Sequence, residues 1–357
     1  SAHHRHPSVL RQKMARANDP DSLRRYRDQV ELMLTRGLEH GAEMTYLCTV
    51  MAGIQDALIR SAISIAQNEL RVAGHAAPPL KFAWLSFGSE GRKEQLLRTD
   101  LDQAIVYEDP ADADAEEVQD YFLTLGARTT DILVHAGYER CPGGIMANNP
   151  ELTGSLSSWQ KRFSRWVRNP DPKALMLATI FFDLRPVFGE SALAQQLIEG
   201  IFKDLKSERA FLNFFAQNAL QNPPPLSFFR GFVVERSGDN SERFDIKARA
   251  MMPLTDAARV LTYDLGLDPT GDTTASRFRR IAEAEPALSA LAQEAAMAHE
   301  ILARMRAQEG LRTGTSGRYV EIDRLNKLQR RTLRNTFAVI HDVQHALSSR
   351  YRLEMFR

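Results

Sequence analysis

Cysteine is almost missing from this sequence. Its 357 residues contain two, Cys48 and Cys141. A pair so far apart cannot build the disulfide framework of a small secreted domain, and it cannot supply a cysteine-rich zinc site. A reducing compartment, the cytoplasm, is the expectation. The nine histidines show no His-Glu-x-x-His or similar metal spacing. An excess of charge is missing too: 46 Lys and Arg face 45 Asp and Glu, a formal net charge of +1. General nucleic-acid binding usually leaves a basic excess, so bulk electrostatics give no reason to expect it. No apolar run reaches the ~18 residues of a bilayer span, so no membrane association is expected. The first residues, Ser1 to Pro7, have no apolar signal-peptide core behind them and no initiator methionine. They read as a cloning scar or the cut edge of a longer protein, and they carry no weight in the fold reasoning. Internal repeats and low-complexity tracts are absent as well.

What is present is enough chain for two or three domains with a real hydrophobic core. Residues 20–75 carry apolar side chains at helical spacing, among them Val30, Met33, Leu47, Met51, Ile54, Leu58 and Ile63. Asp21 or Ser22 can cap the start, and Gly41 is expected to break the run in two. Pro78 and Pro79 then stop a loop. The apolar segment Lys81 to Phe87 fits a buried strand, residues 90–97 a helix capped by Ser89, and Asp100 to Tyr107 a second strand. A loop over 108–116 leads to a helix at 117–135 and a third strand near 137–141. From Ser157 onward the pattern is helical: 157–168, 172–185, 191–219, 253–265, 274–283, 287–309 and 321–350. Pro223-Pro224-Pro225 marks a hinge or seam, and 226–249 reads as a hairpin.

The chemistry lies between Phe87 and Ala104. Asp100 and Asp102 stand at i and i+2 at the head of a strand, so both point to one face and Leu101 to the other. Two adjacent carboxylates repel each other unless a divalent cation lies between them. Magnesium takes oxygen ligands, typically one or two carboxylates plus substrate phosphates. Upstream, Gly88 ends the first strand and allows close backbone approach to a ligand. The expected helix behind it aims free N–H groups at a phosphate, and the Ser89 hydroxyl adds a donor. A lone Asp-x-Asp is usually a surface turn and a lone Gly-Ser a loop. The order strand, Gly-Ser, helix, Asp-x-Asp, strand is much rarer by chance. Loop and strand together then hold a triphosphate and its metal, and nucleotidyl transfer is mostly such positioning plus charge neutralisation.

These residues carry a resemblance. The segment is similar to the polymerase-β-type nucleotidyltransferase superfamily. More narrowly it resembles the bacterial DUF294 family, relatives of the PII-protein uridylyltransferase. That family's G-S-E-G-R-x-E-Q and T-D-x-D-x-A are matched by Gly88, Ser89, Glu90, Gly91, Arg92, Glu94 and Gln95, then by Thr99, Asp100, Asp102 and Ala104. Cys141 to Ala147 resembles its C-P-G-G-x-M-A loop, and Phe182-Asp183-Leu184-Arg185 its F-D-x-R segment. Asp245-Ile246-Lys247 and Asp256-x-x-Arg259 resemble patches of its C-terminal substrate-binding domain. The likeness spans roughly residues 25–350. Lys93 departs from it, standing where members often have glycine.

The resemblance implies an α+β fold: a small polymerase-β-like core with a mixed sheet, flanked by N-terminal helices and a C-terminal helical bundle. The expected boundaries are a helical lead at 1–75, a nucleotidyltransferase domain at 76–200 and a substrate-binding domain at 201–357. It implies Mg²⁺, with Mn²⁺ as a substitute, held by Asp100 and Asp102, and an NTP substrate bound by Gly88, Ser89, Arg92 and Lys93. Family members often carry CBS or cyclic-nucleotide-binding domains upstream, and none is visible here. The acceptor could be a regulatory protein, by analogy with the uridylyltransferase, or else a small molecule or an RNA end. A non-catalytic nucleotide sensor on the same fold is the other class of reading.

A third carboxylate usually completes such sites. Asp183, an acid within an apolar run, is one candidate and needs a partner or a metal; Glu139 is the other. Arg92 could contact phosphate or pair with Glu94 or Asp100, and Glu94 with Arg98 could be a simple helix-surface pair. The cluster Lys161, Arg162, Arg165 and Arg168 shares a helix with Trp159 and Trp166. It reads first as a solvated face over buried indoles, second as a nucleotide or RNA contact. Arg334 and His341 have the Arg-x6-His spacing of helical HEPN nucleases, a frequent chance match in an Arg-rich helix.

Overall fold

The computed structural model describes residues 6–96, 100–226 and 231–353. The protein is mostly helical and carries a small mixed four-stranded sheet, the α+β class expected. Two compact units divide the chain. Unit 1 holds Ser1–Ala42, Tyr46–Asn169 and Ile180–Asp204, and unit 2 holds Glu43–Thr45, Pro170–Thr179 and Leu205–Arg357. The N-terminal helices thus share a unit with the sheet.

Unit 1 begins with α1 (Pro7–Ala15) and α2 (Pro20–Glu39). Asp19, rather than Asp21 or Ser22, caps α2: its carboxylate accepts from the Ser22 N–H at 2.8 Å. The chain breaks at Gly41, with φ at +70°, before α3 (Met44–Val72). Among the described residues α3 is long and apolar enough to cross a membrane, despite Asp56 and Arg60, but 72% of its apolar window is buried inside the protein. That is the behaviour of a core helix. It buries Ile54, Leu58, Ile59 and Ile63 completely, each worth ~1.5–3 kcal/mol of transfer free energy.

The sheet comprises β1 (Phe82–Ser86), β2 (Gln103–Tyr107), β3 (Thr153–Ser155) and β4 (Arg185–Gly189), in the order β3-β2-β1-β4. β1 runs antiparallel to β2 and β4, and β2 runs parallel to β3. Trp84 in β1 and every residue of β2 are buried. A single helical turn, α4 (Gly88–Gly91), follows β1. It replaces the helix expected over 90–97. Helices α5 (Ala115–His135) and α6 (Leu156–Arg168) complete the cover, with Trp159 buried and its indole N–H donating to the Ile105 carbonyl at 3.1 Å. Arg162 lies 4.4 Å over the Trp159 ring while Lys161, Arg165 and Arg168 face solvent, the solvated face over buried indoles.

Two strands escaped the sequence pattern. β3 is three residues with no apolar signal. β4 contains Pro186 and continues the apolar run of α7 (Pro172–Phe181), so the expected helix to 185 stops four residues earlier. Proline is tolerated in β4 because it is an edge strand. The third strand expected near 137–141 is reduced to one parallel bridge, Asp100 with Glu139. The expected helix over 191–219 is two, α8 (Ser191–Ser207) and α9 (Ala210–Ala219).

In unit 2, α10 (Met252–Asp264), α11 (Thr274–Ala284), α12 (Ser289–Thr313) and α13 (Lys327–Arg350) form the helical bundle. Of the hairpin expected at 226–249, the described residues show one antiparallel bridge, Leu226 with Phe232, and a turn closed between Glu235 and Arg243. The strand there, β5 (Phe244–Asp245), pairs at long range with β6 (Tyr319–Val320), and a π-helical segment follows at Lys247–Met251. Asp245 takes the Arg318 guanidinium on both oxygens, and Asp256 takes Arg259 at 2.7 Å and Asn222 at 2.8 Å. These family-like patches are therefore structural ion pairs within the unit. Arg334 lies over the Phe232 ring and His341 beside Asp342.

Candidate active site

The site is built where β1 leaves the sheet and β2 enters it. The chain turns at Gly88 with φ at +58°, a conformation that strains any residue with a side chain. A Cβ there would also lie 2.8 Å from Asp102 Oδ2. Glycine is thus required twice, and the turn lies directly against the carboxylate. The Phe87 N–H donates to the Asp102 carbonyl at 2.8 Å, which fixes the approach.

Asp100 and Asp102 precede β2 rather than lying in it, yet they alternate as expected: Leu101 is fully buried and both aspartates are half-buried. The Asp100 carbonyl accepts from Gln95 Nε2 at 3.2 Å, and the Gln95 carbonyl accepts from Gln55 Nε2 of α3 at 3.1 Å. The parallel bridge sets the Glu139 backbone beside that of Asp100, and the Glu139 side chain is exposed. The Cys141 thiol donates to Asp102 Oδ1 at 3.3 Å. Burial and the Asp102 charge hold that thiol above its usual pKa. The loop from Cys141 turns at Gly144, with φ at +69°, and Ile145 accepts from the Gln103 N–H at 3.0 Å. It forms a further wall of the site.

Because α4 has one turn, little helix dipole is available, contrary to the argument from a longer helix. What remains for an anion is the group of N–H donors at the start of the turn and the half-buried Ser89. Leu97, Arg98 and Thr99, and with them the Glu94–Arg98 pair, lie outside the described residues.

A second layer supports the turn. The Arg92 guanidinium donates to Asp183 at 2.8 Å and to Glu94 at 3.0 Å and is 7% exposed. Arg92, read from sequence as a phosphate ligand or a partner of Glu94 or Asp100, makes the Glu94 pair and a second one with Asp183, the candidate third carboxylate. Arg185 grips Asp56 through both oxygens, at 2.6 and 3.0 Å, and the Glu90 carbonyl at 2.9 Å. A Cβ on Gly91 would meet the Asp183 carbonyl oxygen at 1.8 Å, so the turn and the chain just before β4 touch backbone to backbone. Lys93 leaves the turn at φ +57°.

Two family models account for most of the chain. The one described as "Putative nucleotidyltransferase DUF294" matches residues 28–173, and the one described as "Putative nucleotidyltransferase substrate binding domain" matches residues 209–351. The chain belongs to the DUF294 family. Comparison with curated proteins gave no match. In DUF294 terms, the Gly-Ser turn, the aspartate pair and the Cys-Pro-Gly-Gly loop come together at one end of the sheet. The F-D-x-R segment stands behind the turn as its ion-pair support. Lys93, where the resemblance leads one to expect glycine, has a left-handed backbone with φ at +57°, a conformation a side chain holds at a cost of about 1 kcal/mol.

Sequence reasoning counted Glu90 and Gln95 among the motif residues without giving them a role, and it did not single out Gln103, Gln55 or Asp56. The signal for Asp56 was present, a lone carboxylate within the apolar stretch of α3, where burial demands a partner. For Glu90 it was the position itself, between two glycines at the end of a buried strand.

Proposed function

We propose that this protein is a magnesium-dependent nucleotidyltransferase. It transfers a nucleoside monophosphate from an NTP to an acceptor hydroxyl or phosphate and releases pyrophosphate. The observation that carries the reading is the close approach of the Gly88 turn to Asp102, 2.8 Å from Oδ2 to a Cβ placed on the glycine. Phosphate donors and metal ligands are thereby neighbours.

The donor set suits magnesium, since Asp100 and Asp102 offer oxygen only. Among the described residues no three His, Cys, Asp or Glu side chains cluster closely enough to hold an ion alone. The triphosphate has to complete the coordination, as is usual for this cation. Magnesium, or manganese in its place, supplies charge neutralisation at the phosphates when bound. The Gly88 and Ser89 N–H groups and the Ser89 hydroxyl bind phosphate oxygens, and Lys93 adds a cation at the exit of the turn. Arg92 and Asp183 act behind the turn. The backbone bridge to Asp100 and its exposed side chain support Glu139 as the general base that takes a proton from the acceptor. Unit 2, matched by the substrate-binding model, carries the acceptor side, and the uridylyltransferase likeness favours a regulatory protein as acceptor.

Calorimetric titration of the four NTPs with and without Mg²⁺, on wild type and Asp102→Ala, tests this. Mg²⁺-dependent binding of one NTP, lost in the variant, supports the site and names the base. That labelled NTP can then be used to seek acceptors, a protein, a small molecule or an RNA end. Binding without turnover on any acceptor would leave nucleotide sensing as the function, and no binding of any NTP would overturn the proposal.

A further inference from the structure

We infer that Glu90 is held as a neutral carboxylic acid, paired face to face with the Gln103 amide, and that this pair fixes the glycine turn against the aspartate strand. Glu90 Oε1 accepts from Ser86 Oγ at 2.9 Å and from Gln103 Nε2 at 3.0 Å. One carboxylate oxygen therefore has two donors. The other, Oε2, is buried with no hydrogen-bond partner, and so is Gln103 Oε1. With an ionised Glu90 both atoms are acceptors without a donor, and one carries buried charge, the costliest arrangement a core can hold.

A single proton on Oε2 resolves both. A carboxylic acid and a primary amide are complementary: each offers one donor and one acceptor on adjacent atoms, and together they close a ring. The N–H of Gln103 already reaches Oε1, so the O–H of Glu90 supplies the missing half. The proton comes from solvent as the chain folds, and no other group changes state.

The surroundings favour the neutral acid. Glu90 is 2% exposed. The charged groups that face it are Arg185 of β4 and Asp56 of α3, and these neutralise each other in a bidentate pair. The contact Arg185 makes with Glu90 is to the backbone carbonyl. Tyr138, itself held neutral by burial, also faces the acid. Burial accordingly pushes the Glu90 carboxyl up to about 8.

The pair sits where position matters. Ser86 ends β1, Glu90 lies in α4, and Gln103 opens β2 directly after Asp102. One side chain thus ties the three segments that bring Gly88 to Asp102. The functional consequence rests on the nucleotide-site reading; the acid–amide pair does not.

A carboxyl raised from 4.5 to about 8 on folding means that the folded protein binds the proton more tightly. Its contribution to stability is full below about pH 4.5 and is lost as the pH rises through about 8. Infrared difference spectra of wild type against Glu90→Gln, with thermal unfolding across the same pH range, test the assignment. At about pH 6 the wild type is expected to show a protonated-carboxyl C=O stretch that the variant lacks and that fades as the pH rises through about 8. Glu90→Gln, which keeps both hydrogen bonds as an amide–amide ring, should remove the corresponding fall in melting temperature, while Glu90→Ala stays destabilised throughout. Mg²⁺–nucleotide affinity of the wild type should weaken by about tenfold over the same rise, as expected when a buried hydrogen bond in the turn is lost. Absence of the band, or an unchanged pH slope of stability in Glu90→Gln, would overturn the pair whatever the nucleotide does. A clear band with no nucleotide binding would uphold the pair and defeat the nucleotide-site reading.

Discussion

Unit 1 handles its carboxylates in two ways within a few residues of one turn. At the end of the sheet, Asp100 and Asp102 are half-buried, placed by backbone hydrogen bonds, and flanked by a glycine and a thiol. Behind the turn, Asp183 and Asp56 are buried and each is matched to a guanidinium, Arg92 and Arg185. The first pair is partly exposed to solvent. The second pair is not, and its value lies in holding the backbone still. A buried ion pair adds little net stability over an apolar replacement, but removing one partner is costly. The two regions should therefore fail differently when damaged.

Removing the front carboxylates gives the largest effect. Asp100→Ala or Asp102→Ala should lower Mg²⁺-dependent turnover by about a thousandfold or more, as loss of a positioned charge at the reacting phosphate implies, with melting temperature unchanged. Unfolding in either variant would erase the contrast. Next, Asp183→Ala should cost about 3 kcal/mol in denaturant unfolding, because the buried Arg92 loses its fully buried carboxylate partner and keeps Glu94. A variant as stable as wild type but inactive would move Asp183 to the front group. Gly91→Ala should destabilise by about 2–4 kcal/mol through its clash with the Asp183 carbonyl, so that the seam can be broken without touching a charge. Glu139→Gln should reduce kcat by about a hundredfold at unchanged nucleotide affinity, the loss of a general base. Smallest, Lys93→Gly should stabilise by about 0.5–1 kcal/mol by relieving the left-handed backbone, while nucleotide affinity falls for want of the cation. An increase in affinity would show that strain, and not charge, dominates at that position.

The same division explains what could be read in the sequence. Gly88, Ser89, Asp100 and Asp102 lie within fifteen residues, and their chemistry follows from local order alone. The break at Gly41 was legible for the same reason. The partnership of Arg92 with Asp183 spans 91 residues, and nothing local ties an arginine to an acid at that distance. Glu90 was legible as a motif residue, but its burial depends on β2 and β4, a dependence that nothing local announces. β4 was hidden because Pro186 and the preceding apolar helix blurred the change from a 3.6 to a 2 period. The one-turn α4 was read as a longer helix, since helical spacing says little about where tertiary contacts will stop a short element.

The sheet also ends in two edges that refuse company. On one side β3 offers only three residues, and on the other Pro186, the second residue of β4, has no amide N–H. Both features blunt the edges against pairing with another strand. Self-association of the folded protein through a growing ribbon is thereby discouraged.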